Sequence, residues 1–215
     1  MAILVFDTET TGLPSRELNH QLDHPDYPWP VSFAAVLYGK DRDEITAVNK
    51  IIRPDGWTVP EDASRIHGIS HERAMDEGVP IREVLDEYAA LRESCTVVAG
   101  HHVSFDRQIM RAALMRRPGE ADVATGDAGK GRWTVHCTMR LSEPIVKMPP
   151  TQRMIDVGWG HKFKAPKLEE CIKHFFGEDM EGAHDAMNDV RACARVLFHL
   201  ADTGVIDLPA TAAAA

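Results

Sequence analysis

The stretch Ile3-Leu4-Val5-Phe6-Asp7-Thr8-Glu9 decides the fold, because an apolar run leads directly into two acids. The apolar run predicts a buried β-strand, and the alternation of side chains along a strand places Asp7 and Glu9 on one face. Adjacent carboxylates repel each other unless a cation lies between them, and a hard divalent cation with oxygen ligands is the simplest such partner. The stretch therefore predicts a strand that ends at a metal site.

Composition supplies a scaffold for this site. The chain has 215 residues, of which 44% are hydrophobic, enough for one domain with its own core. We predict that this domain spans residues 1–208 and that the small-residue tail at 209–215 is frayed. The 33 acidic and 24 basic residues give a net charge of -9, which argues against a broad basic surface for nucleic acid or lipid. Phosphate binding must therefore be local, and bound cations would provide it.

The spacing of the cysteines and the length of the apolar runs indicate where in the cell the protein is expected. Cys95, Cys137, Cys171 and Cys193 are far apart with no C-x-x-C pair, so neither a zinc site nor a disulfide framework is indicated. Because the first residues already have strand composition, we expect no cleavable leader, and no run approaches the roughly 20 apolar residues of a membrane span. We predict a soluble cytoplasmic protein.

Periodicity along the first half predicts three antiparallel strands followed by helices. Residues 10–30 are rich in Pro, Asp and His and predict a loop, whereas 31–38 and 45–52 have strand composition around a turn at 40–44. Residues 54–68 are predicted to be irregular. The helical patterns lie at 72–77 and 81–93.

The second half alternates short strands with helices, which favours a mixed α/β sheet. A strand is predicted at 96–100, and a short strand that leads into a helical turn at 133–139. Helices are predicted from 104 onward, at 167–176 and at 186–201, with Asp185 as the N-cap of the last. Asp106 then lies in the first turn of a helix, just beyond the carboxyl end of a strand, where open α/β sheets tend to place their sites. Residues 119–132 and 144–160 are predicted to be loops.

Three motifs in order resemble those of the DEDDh family of 3′ to 5′ exonucleases. They are FDTETTGL at 6–13, H-x-x-x-F-D at 101–106 and HDAMNDV at 184–190. The intervening RIHGIS at 65–70, CTMRL at 137–141 and PKLEECIKHFFG at 166–177 follow the family's order as well. A D-x-E alone would be a weak signal, whereas this ordered set covers nearly the whole chain.

The resemblance implies a fold, a metal centre and a set of catalytic residues. The fold would be ribonuclease H-like, with a mixed central sheet of three antiparallel strands and shorter parallel strands, and helices on both faces. Phosphodiester hydrolysis is served by two metals about 4 Å apart, and a mostly oxygen cage favours Mg²⁺ or Mn²⁺ over zinc. On this resemblance His184 is the general base. The metal ligands would be Asp7, Glu9, Asp106 and Asp189.

Substrate contacts follow from the same resemblance. In the family, the backbone after the first acidic pair touches the terminal nucleotide and an apolar side chain wedges against its base, which implies Thr10, Thr11, Gly12 and Leu13. His67 resembles a position beside the terminal nucleotide, and a hydrogen bond that fixes its loop is an equal alternative. A basic stretch could follow the nucleic-acid backbone or be a solvated face. It comprises Lys147, Arg153, Lys162, Lys164 and Lys167.

Two positions depart from the family pattern. His102 stands where the family usually has Asn, and Ser32 stands where a polar or acidic residue often lies beside the site. Neither change removes a predicted metal ligand. Both weaken inferences about substrate preference.

The sequence predicts a metal-dependent 3′ to 5′ exonuclease that releases nucleoside 5′-monophosphates from single-stranded or frayed DNA. DTETTGL is closer to the proofreading branch of the family than to its RNA-trimming branches, so RNA ends or short oligoribonucleotides are the alternative substrate. A hypothesis of another class is a polymerase-associated binding module with weak nuclease activity. Nucleic acid is the expected partner, with a replication or repair polymerase as a possible second one, and no membrane is involved.

Overall fold

A five-stranded mixed sheet forms the centre of the molecule. The computed structural model describes residues 2–18, 21–117, 133–180 and 185–208. In spatial order the strands run β3-β2-β1-β4-β5; β1 pairs antiparallel with β2, and β2 with β3, while β4 is parallel to both β1 and β5. The predicted sheet is therefore confirmed. The strands are β1 (Ile3–Thr10), β2 (Pro30–Tyr38), β3 (Glu44–Ile51), β4 (Val97–Gly100) and β5 (Thr134–Cys137).

Eight helices lie in the described residues. Two short ones follow β3, a longer one leads into β4, and the others follow β4 and β5. They are α1 (Glu61–His67), α2 (His71–Glu77), α3 (Ile81–Glu93), α4 (Val103–Met115), α5 (Thr138–Val146), α6 (Gln152–Asp156), α7 (Leu168–Phe176) and α8 (Ala186–Asp202).

The alternation of side chains along β1 divides the core into two layers. Leu4 and Phe6 are fully buried in a cluster with residues of α3 and α4, whereas Ile3 and Val5 pack on the opposite face in a cluster with residues of α8. Both faces of the sheet are thus covered by helices, as predicted. The odd-numbered face, which continues to Asp7 and Glu9, is the face that α8 covers.

Two segments predicted to be irregular contain helices. Residues 54–68 include α1, which Gly68 ends in the left-handed conformation with φ 73°. Within 144–160, α5 continues through Pro144 to Val146, although Pro144 has no N–H to donate to the carbonyl four residues earlier. The side chain of Thr151 caps α6 by accepting a hydrogen bond from the Met154 N–H at 3.3 Å. The prediction of irregular structure is therefore wrong for these three helices.

Some predictions fall on residues that the structure does not describe. These are the whole of the loop at 119–132, His184 and the tail at 209–215. No helix in the described ranges is both long and apolar enough to cross a bilayer.

Candidate active site

Three of the predicted acids converge at the end of β1. Asp7 and Glu9 lie on the face that α8 covers, and Asp189 lies in the first turn of α8. One carboxylate oxygen of each of the three lies within 4.8 Å of those of the other two, and all three side chains are partly buried. Strand and helix together therefore place three carboxylates around one point.

Asp106 approaches this group from the other side of β1. It is 3% exposed and lies in the first turn of α4. Its Oδ1 accepts hydrogen bonds from the Thr8 N–H at 3.1 Å and from the Thr8 hydroxyl at 2.8 Å. Asp106 is close enough for its charge to raise the pKa of both Asp7 and Glu9. Thr8 thus holds the fourth acid beside the other three, a role that no sequence motif indicated.

The acids destabilise one another when ionised. Burial raises the pKa of Asp7 well above its ordinary value, and the charges of Asp106, Glu9 and Asp189 raise it further. Burial, together with the charges of Asp189, Asp106 and Asp185, raises the pKa of Glu9 to about 7. Burial also raises the pKa of Asp106 to about 7, against the opposing effect of its hydrogen bonds from Thr8. A buried set of oxygen donors with uncompensated charge fits hard divalent cations.

The beginning of α8 fixes the position of Asp189. The Asp185 carboxylate accepts hydrogen bonds from the N–H groups of Met187 and Asn188, both at 3.1 Å. The prediction of Asp185 as a helix cap is therefore confirmed. His184, the predicted general base, lies immediately before this cap and outside the described residues.

A hollow opens on each side of the carboxylates. The first, the Glu9 cleft, has a volume of about 550 Å³ and is lined by residues of β1, β2, β3, α1 and α2 and by Asp185. The second, the Asp189 groove, has a volume of about 570 Å³ and contains more apolar surface. It runs between Leu13, His102 and the segment from Ala165 to Glu169. Glu9 and Asp189 are therefore each reached through an open hollow.

The end of β1 and the turn after it contain four of the five residues predicted to contact substrate. The Thr10 hydroxyl donates a hydrogen bond to the Gly12 carbonyl at 2.8 Å, and the Thr11 hydroxyl accepts one from the Trp29 N–H at 3.0 Å. Gly12 has φ 146°, a conformation that side chains disfavour. Leu13 is 82% exposed and lines the Asp189 groove. The two threonine side chains stabilise the turn, and Leu13 is the one that projects.

His67 and Ser32 lie on the Glu9 cleft. The buried His67 ring accepts a hydrogen bond at Nδ1 from the Ile69 N–H at 3.2 Å, so it fixes its loop and lines the cleft at once. Ser32 lies directly across from Glu9 in the β1–β2 register. The Ser32 hydroxyl is buried and has no hydrogen-bond partner among the described residues, so it adds a neutral polar group to the floor of the cleft.

The histidine pair before α4 has two separate roles. His101 Nδ1 lies 3.0 Å from the Thr138 hydroxyl and Nε2 lies 3.0 Å from the Pro166 carbonyl. Burial lowers the pKa of His101 to about 4, so its ring is neutral and joins α5 to the chain before α7. His102 has φ 73°, stacks on Phe105 with a centroid distance of 6.1 Å, and lines the Asp189 groove. The substitution of His for Asn thus adds a ring to the groove.

Removal of the Thr8 hydroxyl is expected to impair the site without removing an acid. In Thr8→Val the Asp106 carboxylate loses its 2.8 Å hydrogen bond, which further raises its pKa and weakens metal binding. We expect roughly tenfold lower activity at limiting metal, since a hydrogen bond to a charged group contributes about 1.5–3 kcal/mol. A metal titration of the rate measures the effect, and Thr8→Ser, which keeps the hydroxyl, is the control. Equal metal dependence in native protein and Thr8→Val would contradict this role.

Neutralising Glu9 is expected to stabilise the metal-free protein. The pKa of Glu9 is raised from 4.5 to about 7, so the folded state favours the protonated carboxyl. Below pH 4.5 this side chain costs the fold nothing, and the free energy of unfolding falls as the pH rises through 7 and the carboxyl ionises. In chelator, Glu9→Gln should therefore raise the free energy of unfolding at pH 8 by about 2 kcal/mol and change it little at pH 4. Urea unfolding at both pH values measures this, with exposed Glu93→Gln as the control. A pH-independent difference would refute the mutual repulsion of the acids.

The sequence of the chain was compared with models of protein families and with curated protein sequences. The sequence profile of the exonuclease family (RNase_T) matches residues 4–197. No curated protein sequence matches the chain.

Solved structures of exonuclease I have a similar fold. The enzyme from Methylocaldum szegediense superposes with a TM-score of 0.64 at 21% identity, covering 94% of this chain and 40% of that one. E. coli exonuclease I in complex with a dT13 oligonucleotide gives a TM-score of 0.68 at 19% identity, covering 94% and 41%. The zinc ion bound form of the E. coli exonuclease I–ssDNA complex gives 0.67 at 18%, covering 94% and 40%. This chain therefore spans about two-fifths of those proteins.

Proposed function

Because the chain belongs to the exonuclease family, whose profile covers residues 4–197, we propose that it is a metal-dependent 3′ to 5′ exonuclease. It hydrolyses phosphodiester bonds from the 3′ end of single-stranded or frayed DNA and releases nucleoside 5′-monophosphates. The observation that carries the proposal is the convergence of Asp7, Glu9 and Asp189, with carboxylate oxygens within 4.8 Å of one another. Surface acids of an inert domain have no reason to gather in a partly buried pocket.

DNA is the favoured substrate. The similar structures include E. coli exonuclease I in complex with dA13, dA16 and dT13 oligonucleotides, and the same fold supports a similar class of ligand here. Those proteins are more than twice as long as this chain, so their substrate preference is transferred only as part of the proposal. RNA and a replication or repair partner stay predictions from the sequence.

The residues present fit two divalent ions. Asp7, Glu9 and Asp189 would hold them, and Asp106 would join as the fourth carboxylate from its place beside Thr8. When bound, the ions supply Lewis-acid chemistry: they lower the pKa of water and offset the charge on the leaving 3′ oxygen. Mg²⁺ and Mn²⁺ both suit an all-oxygen donor set.

The remaining steps fall to side chains of this chain. His184 accepts the proton of the attacking water, as the HDAMNDV motif implies, because imidazole titrates near neutral pH. Leu13, which is exposed at the Asp189 groove, contacts the base of a bound nucleotide. The net charge of -9 leaves recruitment of phosphate to the cations and to local basic residues.

Degradation of labelled oligomers tests the proposal. DNA and RNA of matched sequence, labelled at the 5′ end, are incubated with Mg²⁺, Mn²⁺ or chelator. A ladder of products shortened from the 3′ end is expected with either metal and none in chelator, together with released 5′-monophosphates. Failure to shorten either polymer would exclude an exonuclease. Faster loss of RNA than of DNA would replace DNA by the alternative substrate, and binding without hydrolysis would favour a binding module.

A further inference from the structure

An exposed segment next to the Asp189 groove combines aromatic and cationic side chains. We call residues 147–164 the aromatic-basic segment. It contains four Lys or Arg residues and one acid in a chain whose net charge is -9. Its large apolar side chains are exposed to solvent: Trp159 is 53% exposed and Phe163 is 42% exposed, and Ile155 and Val157 are exposed as well.

The segment is folded in spite of this exposure. Met148 and Lys164 form an antiparallel bridge that closes its ends, with the Lys164 N–H donating to the Met148 carbonyl at 3.0 Å. The Trp159 backbone N–H donates to the Met154 carbonyl at 2.7 Å, which fixes the backbone at Trp159 against α6. The Lys164 ammonium binds the Glu170 carboxylate at 2.7 Å, so the segment is fastened to α7. The exposed rings are therefore held by a built structure.

Three of the four cations of the segment are available for a ligand. Lys147, Arg153 and Lys162 are exposed, and within the described part of the chain no carboxylate forms an ion pair with any of them. The Lys162 ammonium lies 5.0 Å from the centroid of the Trp159 ring. An aromatic surface and a positive charge thus occur side by side at one place.

The segment continues the Asp189 groove. Its last residue, Lys164, is followed directly by Ala165, Pro166 and Lys167, which line the groove together with Asp189. Pro166 also accepts the hydrogen bond at His101 Nε2, which ties this stretch to the beginning of α4. Chain continuity therefore places the C-terminal end of the aromatic-basic segment at the edge of the Asp189 groove.

We propose that the aromatic-basic segment binds single-stranded nucleic acid upstream of the bond that is cut. Bases stack on Trp159 and Phe163, and phosphates bind Lys162, Arg153 and Lys147. Stacking on aromatic rings beside cations is how proteins hold single strands without reading their sequence. The inference rests on the proposed function for the direction of the strand, but the binding itself does not require hydrolysis.

The charge of the segment favours single-stranded nucleic acid over a protein as its ligand. An apolar patch alone would suit either kind of ligand. Three cations that pair with no described carboxylate, around exposed rings in an acidic chain, match a polyanion with stacking bases. In a duplex the bases stack on one another, so only the terminal base pairs could stack on Trp159 or Phe163. The segment therefore favours single strands.

The first test measures binding in chelator, where nothing is hydrolysed. Anisotropy of a labelled dT oligomer of about 12 nucleotides, a length typical of single-strand sites, gives Kd for the native chain, Trp159→Ala, Trp159→Phe and Lys162→Gln. We expect Kd to rise roughly fivefold or more in Trp159→Ala, since this variant has no ring on which a base can stack, and to change less in Trp159→Phe. Lys162→Gln should weaken binding and reduce the dependence of Kd on salt. Lys40→Gln, in the turn between β2 and β3 at the far end of the sheet, is the matched control.

The second test uses substrate length in the presence of metal. Trp159→Ala should raise KM for the long oligomer and leave kcat unchanged, and it should not affect KM for a dinucleotide, which is too short to reach the segment. An equal effect on both lengths, or unchanged Kd in chelator, would overturn the proposal. So would self-association that Trp159→Ala abolishes while oligomer binding stays the same. If the native chain binds oligomers through Trp159 but cuts nothing, the exonuclease proposal fails and the binding surface stands.

Discussion

Replacing Asp7 by asparagine is expected to lower kcat for 3′ to 5′ hydrolysis by roughly a thousandfold or more. Asp7 lies at the centre of the acidic group, where its pKa is raised by Asp106, Glu9 and Asp189 together. Loss of its charge removes a ligand that no neighbour can replace, because the other three carboxylates are fixed by separate elements. Asparagine keeps the volume of the side chain, so the core around β1 should remain packed.

The same variant offers a second readout that separates chemistry from folding. In chelator, Asp7→Asn should melt at a higher temperature than the native chain, since it relieves repulsion among buried acids. Asp76→Asn, an exposed acid on α2, serves as the control and should change neither rate nor melting temperature. Native activity in Asp7→Asn would exclude the carboxylate group as the catalytic centre.

Replacing His184 by alanine is expected to lower kcat by roughly a hundredfold to ten thousandfold, the usual contribution of a general base. His184 is not one of the predicted metal ligands, so its replacement should change metal affinity and KM much less than kcat. The loss should also flatten the acidic limb of the rate against pH, where protonation of the base limits the native enzyme. Steady-state rates from pH 5 to 9 measure both effects.

A histidine elsewhere in the chain gives the matched control. His174 is exposed on α7 and stacks edge-on against Phe175, so His174→Ala should leave the pH profile unchanged. A profile for His184→Ala that still falls on the acidic side as in the native chain would assign the base to another group. Metal dependence that shifts with His184→Ala would make it a ligand instead.

The fold was largely predictable because one short strand sets its geometry. Asp7 and Glu9 are two residues apart in a strand, so their side chains must lie on the same face of the sheet. The 3.6-residue period of α8 puts Val190 and Leu197 on the face of that helix that packs against β1. The motif resemblance to the exonuclease family is confirmed by the match over residues 4–197. The finer likeness to a proofreading subunit stays a prediction.

What the sequence did not predict depends on contacts between distant residues. The hydrogen bonds from Thr8 to Asp106 join positions 98 residues apart, and Thr8 belongs to the first motif without being one of its acids. Likewise, the joint role of His101, Thr138 and Pro166 depends on three elements meeting in space. The helix α1 was missed because propensity says little about seven residues whose ends are fixed by a proline and a left-handed glycine.

The position of β1 in the middle of the sheet determines how the site responds to partial unfolding. Its residues from Ile3 to Thr10 pair with β2, so Asp7 and Glu9 sit opposite Ala34 and Ser32 inside a continuous ladder. Amide protons in such a strand exchange with solvent only through openings that approach complete loss of the native state. We therefore expect the spacing of the acids to persist until the sheet unfolds cooperatively. Fraying at the edges of the molecule can alter substrate access long before it disturbs the carboxylates.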